Sequence, residues 1–178
     1  ETHSLFAQYI LDMQVDELVI VTPDVGGAKR ARRLAKELDA SIAIIDKRRP
    51  RHGEAEIINI VGDVDNKPCV ILDDIIDTAG TITGAAKALK DSGASSVSIF
   101  ATHPVFSGPA AKRLQAKHVD QVVVTDSICI PKEKQFKNLK IISLAPILAD
   151  TLQTIYEGKP MGVLFEKLHA QVEEKKKK

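Results

Sequence analysis

The chain has 178 residues, of which 44% are hydrophobic and 28% are charged, a composition typical of one soluble globular domain and not of a disordered chain. Its net charge is only +1 and aromatic residues make up 4%, which argues against a nucleic-acid-binding surface. No apolar run approaches the roughly 18 residues of a membrane span. The two cysteines, Cys69 and Cys129, make neither a disulfide framework nor a zinc site, so we expect a reducing, cytoplasmic setting.

Short β-branched apolar runs alternate with segments in which apolar residues recur every three or four positions. In chain order this pattern predicts a helix over residues 5–13, a strand over 17–21, a helix over 28–38, strands over 41–45, 57–61 and 69–73, a helix over 81–92, a strand over 97–101, a short helix over 108–115, strands over 122–125 and 140–143, and a helix over 145–156. Such alternation predicts an α/β fold with helices on both faces of a mostly parallel sheet. The Lys-rich residues 169–178 are expected to form a disordered tail.

The strongest motif is Val-Ile-Leu-Asp-Asp-Ile-Ile-Asp-Thr-Ala-Gly-Thr at residues 70–81. A buried central strand ends in two carboxylates, Asp73 and Asp74, and a turn of small residues leads into a helix. In parallel α/β sheets, ligands bind outside the carboxyl ends of the strands. Residues 78–81 would offer backbone amides and hydroxyls at a helix N-terminus, where the helix dipole also favours a phosphate.

Asp73 and Asp74 would repel that phosphate, but they can accept hydrogen bonds from vicinal hydroxyls or hold a divalent cation. Groups that donate hydrogen bonds to a phosphate would thus lie beside groups that accept hydrogen bonds from sugar hydroxyls. This combination is expected of a site for ribose 5-phosphate. The alternative is a strand end with exposed acidic residues followed by a capped helix, and the complete motif favours the binding site.

Four further residues, in three segments, have a structural interpretation as well as a functional one. Asp24, before Gly26 and Gly27, can cap the helix that follows or bind a ligand. Lys47 and Arg49 lie in a cationic segment, which is typical of a solvated loop. His103 is interpreted as a loop histidine with a structural hydrogen bond.

The motif at residues 70–81 resembles the phosphoribosyl pyrophosphate (PRPP) signature shared by type I phosphoribosyltransferases and ribose-phosphate pyrophosphokinases. Segments that look like the pyrophosphokinase family, in the family's order, are residues 22–27, 44–51, 59–62, 101–109 and 124–127. The resemblance runs from about residue 5 to residue 168. It implies one type I phosphoribosyltransferase-like domain over residues 1–168, similar to the C-terminal half of that enzyme.

The resemblance also implies a reaction, in which the β,γ-diphosphoryl group of ATP moves to ribose 5-phosphate, giving PRPP and AMP, with Mg²⁺ as the cofactor. By resemblance, the residues that bind ribose 5-phosphate or PRPP are Asp73, Asp74, Asp77, Thr78, Ala79, Gly80 and Thr81. Lys47 and Arg49 match catalytic residues that neutralise charge on the transferring group, and Asp24 matches a residue that helps bind Mg²⁺ and ATP.

The implied partners are ATP, ribose 5-phosphate, an N-terminal half that supplies most of the ATP contacts, and further copies in a homo-oligomer. The chain alone is expected to be inactive or weakly active. Two alternatives stay open. One is a phosphoribosyltransferase, although no hood over an acceptor base is found. The other is a non-catalytic regulatory subunit like the synthetase-associated proteins, although the segment from Lys47 to Arg51 is continuous here.

Overall fold

In a computed structural model, which describes residues 2–48 and 57–177, seven strands form one sheet. The strands are β1 (Val19–Thr22), β2 (Ser41–Arg48), β3 (Ile57–Val61), β4 (Pro68–Ile76), β5 (Ser96–Pro104), β6 (Gln121–Thr125) and β7 (Leu139–Ile142). The α-helices are α1 (His3–Asp12), α2 (Ala28–Leu38), α3 (Gly80–Asp91), α4 (Ala110–Leu114), α5 (Ala145–Tyr156) and α6 (Met161–Lys176), and a short 3₁₀-helix covers Lys132–Lys134. None of the helices in the described ranges is long and apolar enough to cross a bilayer.

The strand order is β3-β2-β1-β4-β5-β6-β7, and every neighbouring pair is parallel except β2 with β3. The predicted mostly parallel sheet is therefore confirmed, with β4 at its centre. Strand β1 lies between β2 and β4, pairing Val19 with Ser41 on one side and with Cys69 on the other. Because the chain builds the sheet outward in both directions from β1 and β4, their carboxyl ends flank a topological switch point.

Two apolar cores, one on each face, explain why the helices dock as they do. On one face, α3 and α4 bury Ile82, Leu89 and Leu114 against the sheet. On the other face, α2 buries Ala31 and Leu34, whose spacing places them on one side of a helix. Both faces of the sheet are thus covered, as predicted.

The C-terminal segment differs from the sequence expectation. The expectation of a disordered tail over residues 169–178 is wrong as far as the structure describes it, because α6 continues to Lys176. Val172 is fully buried in the core that contains Phe6, and Lys176 Nζ lies 2.8 Å from Asp39 Oδ2. Burial of one helix face orders this polar segment.

Candidate functional site: a carboxylate pair beside a helix N-terminus

The candidate site lies at the carboxyl ends of β1 and β4. Strand β1 ends at Thr22, two residues before Asp24. Strand β4 continues past its predicted end to Ile76, so that Asp73 and Asp74 are among its last four residues. Because β1 and β4 are adjacent and parallel, the structure brings the Asp24 turn and the Asp73–Asp74 pair to the same edge of the sheet.

An arginine from α2 joins the two carboxylates. Arg30 Nη2 lies 2.7 Å from Asp74 Oδ2, and Arg30 Nη1 lies 3.5 Å from Asp73 Oδ1. The backbone amide of Asp74 also donates to Asp73 Oδ1, at 2.8 Å. Sequence analysis missed Arg30, although its place in the first turn of the helix after β1 was a usable signal.

The two carboxyl groups have pKa values shifted in opposite directions. Burial raises the pKa of Asp73 to about 6, the negative charge of Asp74 adds to the rise, and the positive charge of Arg30 opposes it. Burial also acts to raise the pKa of Asp74, but its hydrogen bond with Asp73 and the charge of Arg30 outweigh burial, so the pKa of Asp74 is lowered. Neighbouring carboxyl groups whose pKa values are shifted in opposite directions are typical of functional sites.

The turn after β4 leads directly into α3. Ala79 takes a left-handed conformation with φ of 61° at the N-cap position, and α3 begins at Gly80. Since alanine has no side-chain oxygen, Ala79 itself supplies no side-chain cap to the first turn of α3. A hydrogen bond to the segment after β5 holds the turn in place: Asp77 O accepts it from the Ser107 amide at 3.0 Å.

A second arginine that sequence analysis did not find contacts this turn. Arg113 Nη1 donates to Thr78 O at 3.0 Å. A Cβ atom added at Gly80 would lie 3.3 Å from the same nitrogen. The glycine therefore allows a close approach between the turn and the α4 guanidinium.

Asp24 has a local structural role. Its Oδ1 accepts a 2.9 Å hydrogen bond from the Gly27 amide, and its carbonyl oxygen accepts a 2.7 Å bond from Thr22 Oγ1. Asp24 therefore holds the turn that precedes α2, but the N-cap of that helix is Gly27 and not Asp24 as predicted. The metal-binding role of Asp24 stays a prediction. Within the described residues no three His, Cys, Asp or Glu side chains converge as a metal-binding group. Mg²⁺, however, is commonly held by one or two carboxylates together with substrate phosphates and water, so these donors fit it.

The two predicted catalytic residues are placed differently. Lys47 belongs to β2, where it pairs with Ile58 of β3, and not to a loop as predicted. Since β2 continues four residues beyond the Thr22–Ile44 pair, its end extends past Thr22 at the site edge of the sheet. Arg49 lies outside the described residues.

His103 lies near the end of β5, although a loop was predicted. Its Nδ1 is 3.0 Å from Ser127 Oγ, and that hydroxyl donates to Thr102 O at 2.8 Å. The predicted structural hydrogen bond of this histidine is confirmed.

Comparisons with known proteins agree with this geometry. The sequence model of the family described as the phosphoribosyl synthetase-associated domain matches residues 48–166. A ribose-phosphate pyrophosphokinase from Bacillus caldolyticus is 49% identical over 162 residues, covering 91% of this chain and 51% of that protein. The solved phosphoribosylpyrophosphate synthetase from Mycobacterium smegmatis superposes with a TM-score of 0.81 and 38% identity, over 88% of this chain and 51% of that chain.

An orotate phosphoribosyltransferase from Aeropyrum pernix superposes with a TM-score of 0.52 and 19% identity, over 83% of this chain and 75% of that one, which shows the shared fold alone. The predicted type I phosphoribosyltransferase-like fold is confirmed. The chain spans about half the length of the curated relatives it matches. Because the family model covers more than half of its residues, the chain belongs to the phosphoribosyl synthetase-associated domain family, and its resemblance to the ribose-phosphate pyrophosphokinases is confirmed.

Proposed function

We propose that this chain is the C-terminal, ribose 5-phosphate- and PRPP-binding part of a ribose-phosphate pyrophosphokinase. One observation carries the proposal: the Asp73–Asp74 pair lies near the end of β4, which a short turn joins to the α3 N-terminus, at the switch point of a mostly parallel sheet. In this proposal Asp73 and Asp74 accept hydrogen bonds from the sugar hydroxyls, and residues 78–81, a few positions further along the chain, donate hydrogen bonds to the phosphate.

The turn would bind the 5-phosphate. Backbone amides of Thr78, Ala79, Gly80 and Thr81, together with the threonine hydroxyls, would donate to its oxygens, and the α3 dipole adds about 0.3–2 kcal/mol. Asp73 and Asp74 would accept hydrogen bonds from the vicinal ribose hydroxyls. Asp77 belongs to the same turn, where its carbonyl oxygen already fixes the backbone.

The reaction assigned to the whole enzyme is transfer of a diphosphoryl group from ATP to ribose 5-phosphate, which yields PRPP and AMP. Asp24 would hold Mg²⁺, which when bound neutralises phosphate charge during transfer. Lys47 and Arg49 would stabilise charge that develops on the transferring group, since this chemistry depends mainly on positioning and charge stabilisation.

The remaining assignments concern the setting of the site. We propose that an N-terminal half supplies most contacts to ATP, that the complete enzyme is a cytoplasmic homo-oligomer, and that the isolated chain has little or no turnover. The length of the matched relatives supports the proposal of a second half, because the chain corresponds to about half of each relative.

The test measures AMP release from ATP and ribose 5-phosphate with Mg²⁺. The chain is assayed alone and after mixing with a purified N-terminal half of the Bacillus caldolyticus relative, with that half alone as the control. The proposal expects turnover only in the mixture. Ribose 5-phosphate binding without turnover in any mixture would instead favour a non-catalytic regulatory subunit.

A further inference from the structure

Arg30 makes the described ion pairs to the carboxylate pair, and none of the site assignments above includes it. We propose that Arg30 is a positioning residue that holds Asp73 and Asp74 side by side, so that both carboxylates face the vicinal hydroxyls of one ribose. This inference rests on the proposed function and names the residue that organises its sugar-binding side.

Arg30 contacts one oxygen of each carboxylate and leaves the other oxygen of each without a contact to the guanidinium. Arg30 uses Oδ2 of Asp74, at 2.7 Å, and Oδ1 of Asp73, at 3.5 Å. The Asp74 amide uses the same Oδ1 of Asp73. Each carboxylate has a second oxygen that the guanidinium does not engage, and a hydroxyl can donate to that oxygen. The arginine thus fixes the pair without occupying all of its acceptors.

When both carboxylates are ionised they repel each other, and a positive charge beside them offsets that repulsion. A guanidinium suits this role because its planar fork presents several donors in a fixed geometry, whereas a lysine ammonium presents a single point charge. The observed contacts use two different nitrogens of the fork, one for each carboxylate. A fork is therefore better suited to this position than a point charge.

The arginine is carried by a well-anchored element. The turn that leads into α2 is held by the hydrogen bond from the Gly27 amide to Asp24 Oδ1, and Ala31, the residue after the arginine, is fully buried. The carboxylates remain open to a ligand, because the side chains of Asp73 and Asp74 are 24% and 55% exposed. A fixed arginine beside accessible acceptors is the arrangement that positioning requires.

A purely structural role, in which Arg30 only ties α2 to β4, makes a different prediction. Loss of such a tie would disturb the whole edge of the sheet, including the α3 N-terminus. Loss of a positioning residue would weaken contacts to the sugar and leave contacts to the phosphate intact. Ribose 5-phosphate and inorganic phosphate therefore distinguish the two roles.

The experiment follows the backbone amide NMR signals of residues 78–81 while each ligand is titrated separately. The variants are Arg30→Gln and Arg30→Lys, and Arg32→Gln on the exposed side of the same helix is the matched control. We expect Arg30→Gln to weaken ribose 5-phosphate binding about tenfold or more, as for loss of a charge-assisted hydrogen bond, with phosphate affinity unchanged. Arg30→Lys should recover part of the loss, and Arg32→Gln should match the unaltered chain.

Ribose 5-phosphate affinity within twofold of the unaltered chain in Arg30→Gln would overturn the inference, as would equal weakening of both ligands. If Arg30→Gln fails to fold, Arg30→Lys decides by the same two criteria. Failure of the unaltered chain to bind ribose 5-phosphate would reject the proposed function itself, which is a different result from an unchanged Arg30 variant.

Discussion

Asp73 and Asp74 are consecutive residues of β4, yet their carboxyl groups differ in environment. Asp73 is the more buried of the two, and burial raises its pKa to about 6. Asp74 is more exposed and closer to Arg30, and its pKa is lowered. The folded state therefore binds a proton at Asp73 more tightly than the unfolded chain, which titrates near 3.8. Ionising Asp73 lowers the free energy of unfolding as pH rises through this window.

Asp73→Asn tests whether ionisation of Asp73 destabilises the folded chain. At pH 8 the ionised carboxylate opposes folding, so the neutral amide should raise the melting temperature. At pH 4.5 Asp73 is already largely protonated, so the difference should mostly disappear. Thermal melts at the two pH values measure the effect.

Asp74→Asn is the matched control, with the opposite sign. Because the folded state stabilises the ionised form of Asp74, its replacement should lower the melting temperature at pH 8. Equal destabilisation by Asp73→Asn and Asp74→Asn at pH 8 would contradict the unequal environments of the two groups.

Individual site residues could be predicted where one short motif contains them. Asp73, Asp74 and the turn that follows lie within a few positions of each other, so the spacing alone suggested their chemistry. Arg30 precedes Asp74 by 44 residues, and Arg113 follows Thr78 by 35. These pairs meet only because of the strand order and helix docking, which a local pattern does not contain.

Among the elements, α6 shows how polar composition can hide a buried face. Its last residues are mostly Lys and Glu, which suggested a disordered tail. Leu164, Leu168 and Val172 nevertheless recur every four residues, and all three are buried. This spacing was present in the sequence and is the pattern of an amphipathic helix.

Val172→Ala should therefore destabilise the folded chain. Val172 is 0% exposed and packs in the core with α1, so removal of two methyl groups should cost roughly 2 kcal/mol of unfolding free energy. Val163→Ala, at a position 48% exposed on the same helix, is the control and should cost much less. Urea denaturation measures both, and similar costs would show that α6 does not dock through Val172.

The β2–β3 pair is antiparallel within an otherwise parallel sheet. The eight residues between Arg48 and Ile57 are too few for the crossover that joins parallel neighbours, which needs about a dozen or more residues. The short connection therefore contained a signal for a hairpin. Lys47 and Arg48 belong to β2, whereas the other two cationic residues of the segment, Arg49 and Arg51, lie outside the described residues.

At the scale of the whole molecule, the strand order places β1 and β4 next to each other and so creates the site. Alternating patterns predicted the parallel sheet and its central strand, but they did not specify which strands would be neighbours. The proposed function also assigns most ATP contacts to a second half of the enzyme, because the chain spans about half the length of the curated relatives it matches.

Arg49→Ala tests the division of labour in that larger enzyme. In the chain complemented by an N-terminal half, the change should reduce turnover about 10²-fold or more, because one charge-stabilising contact in the transition state is lost. Apparent affinity for ribose 5-phosphate should stay within a few-fold, since interactions made only in the transition state do not affect substrate binding. Steady-state kinetics of AMP release measures both quantities. Weaker ribose 5-phosphate binding at unchanged turnover would make Arg49 a substrate-binding residue instead.

Calorimetric titration of ribose 5-phosphate into the chain and into Gly80→Val tests directly whether residues 78–81 bind a phosphate. The valine side chain at the start of α3 would meet Arg113 and block the close approach of a phosphate to the amides. Gly84→Val, in the same helix with open space around its Cβ position, controls for the cost of valine in a helix. We expect weak binding by the unaltered chain and by Gly84→Val, and none by Gly80→Val. Undiminished binding by Gly80→Val would contradict a phosphate site on residues 78–81.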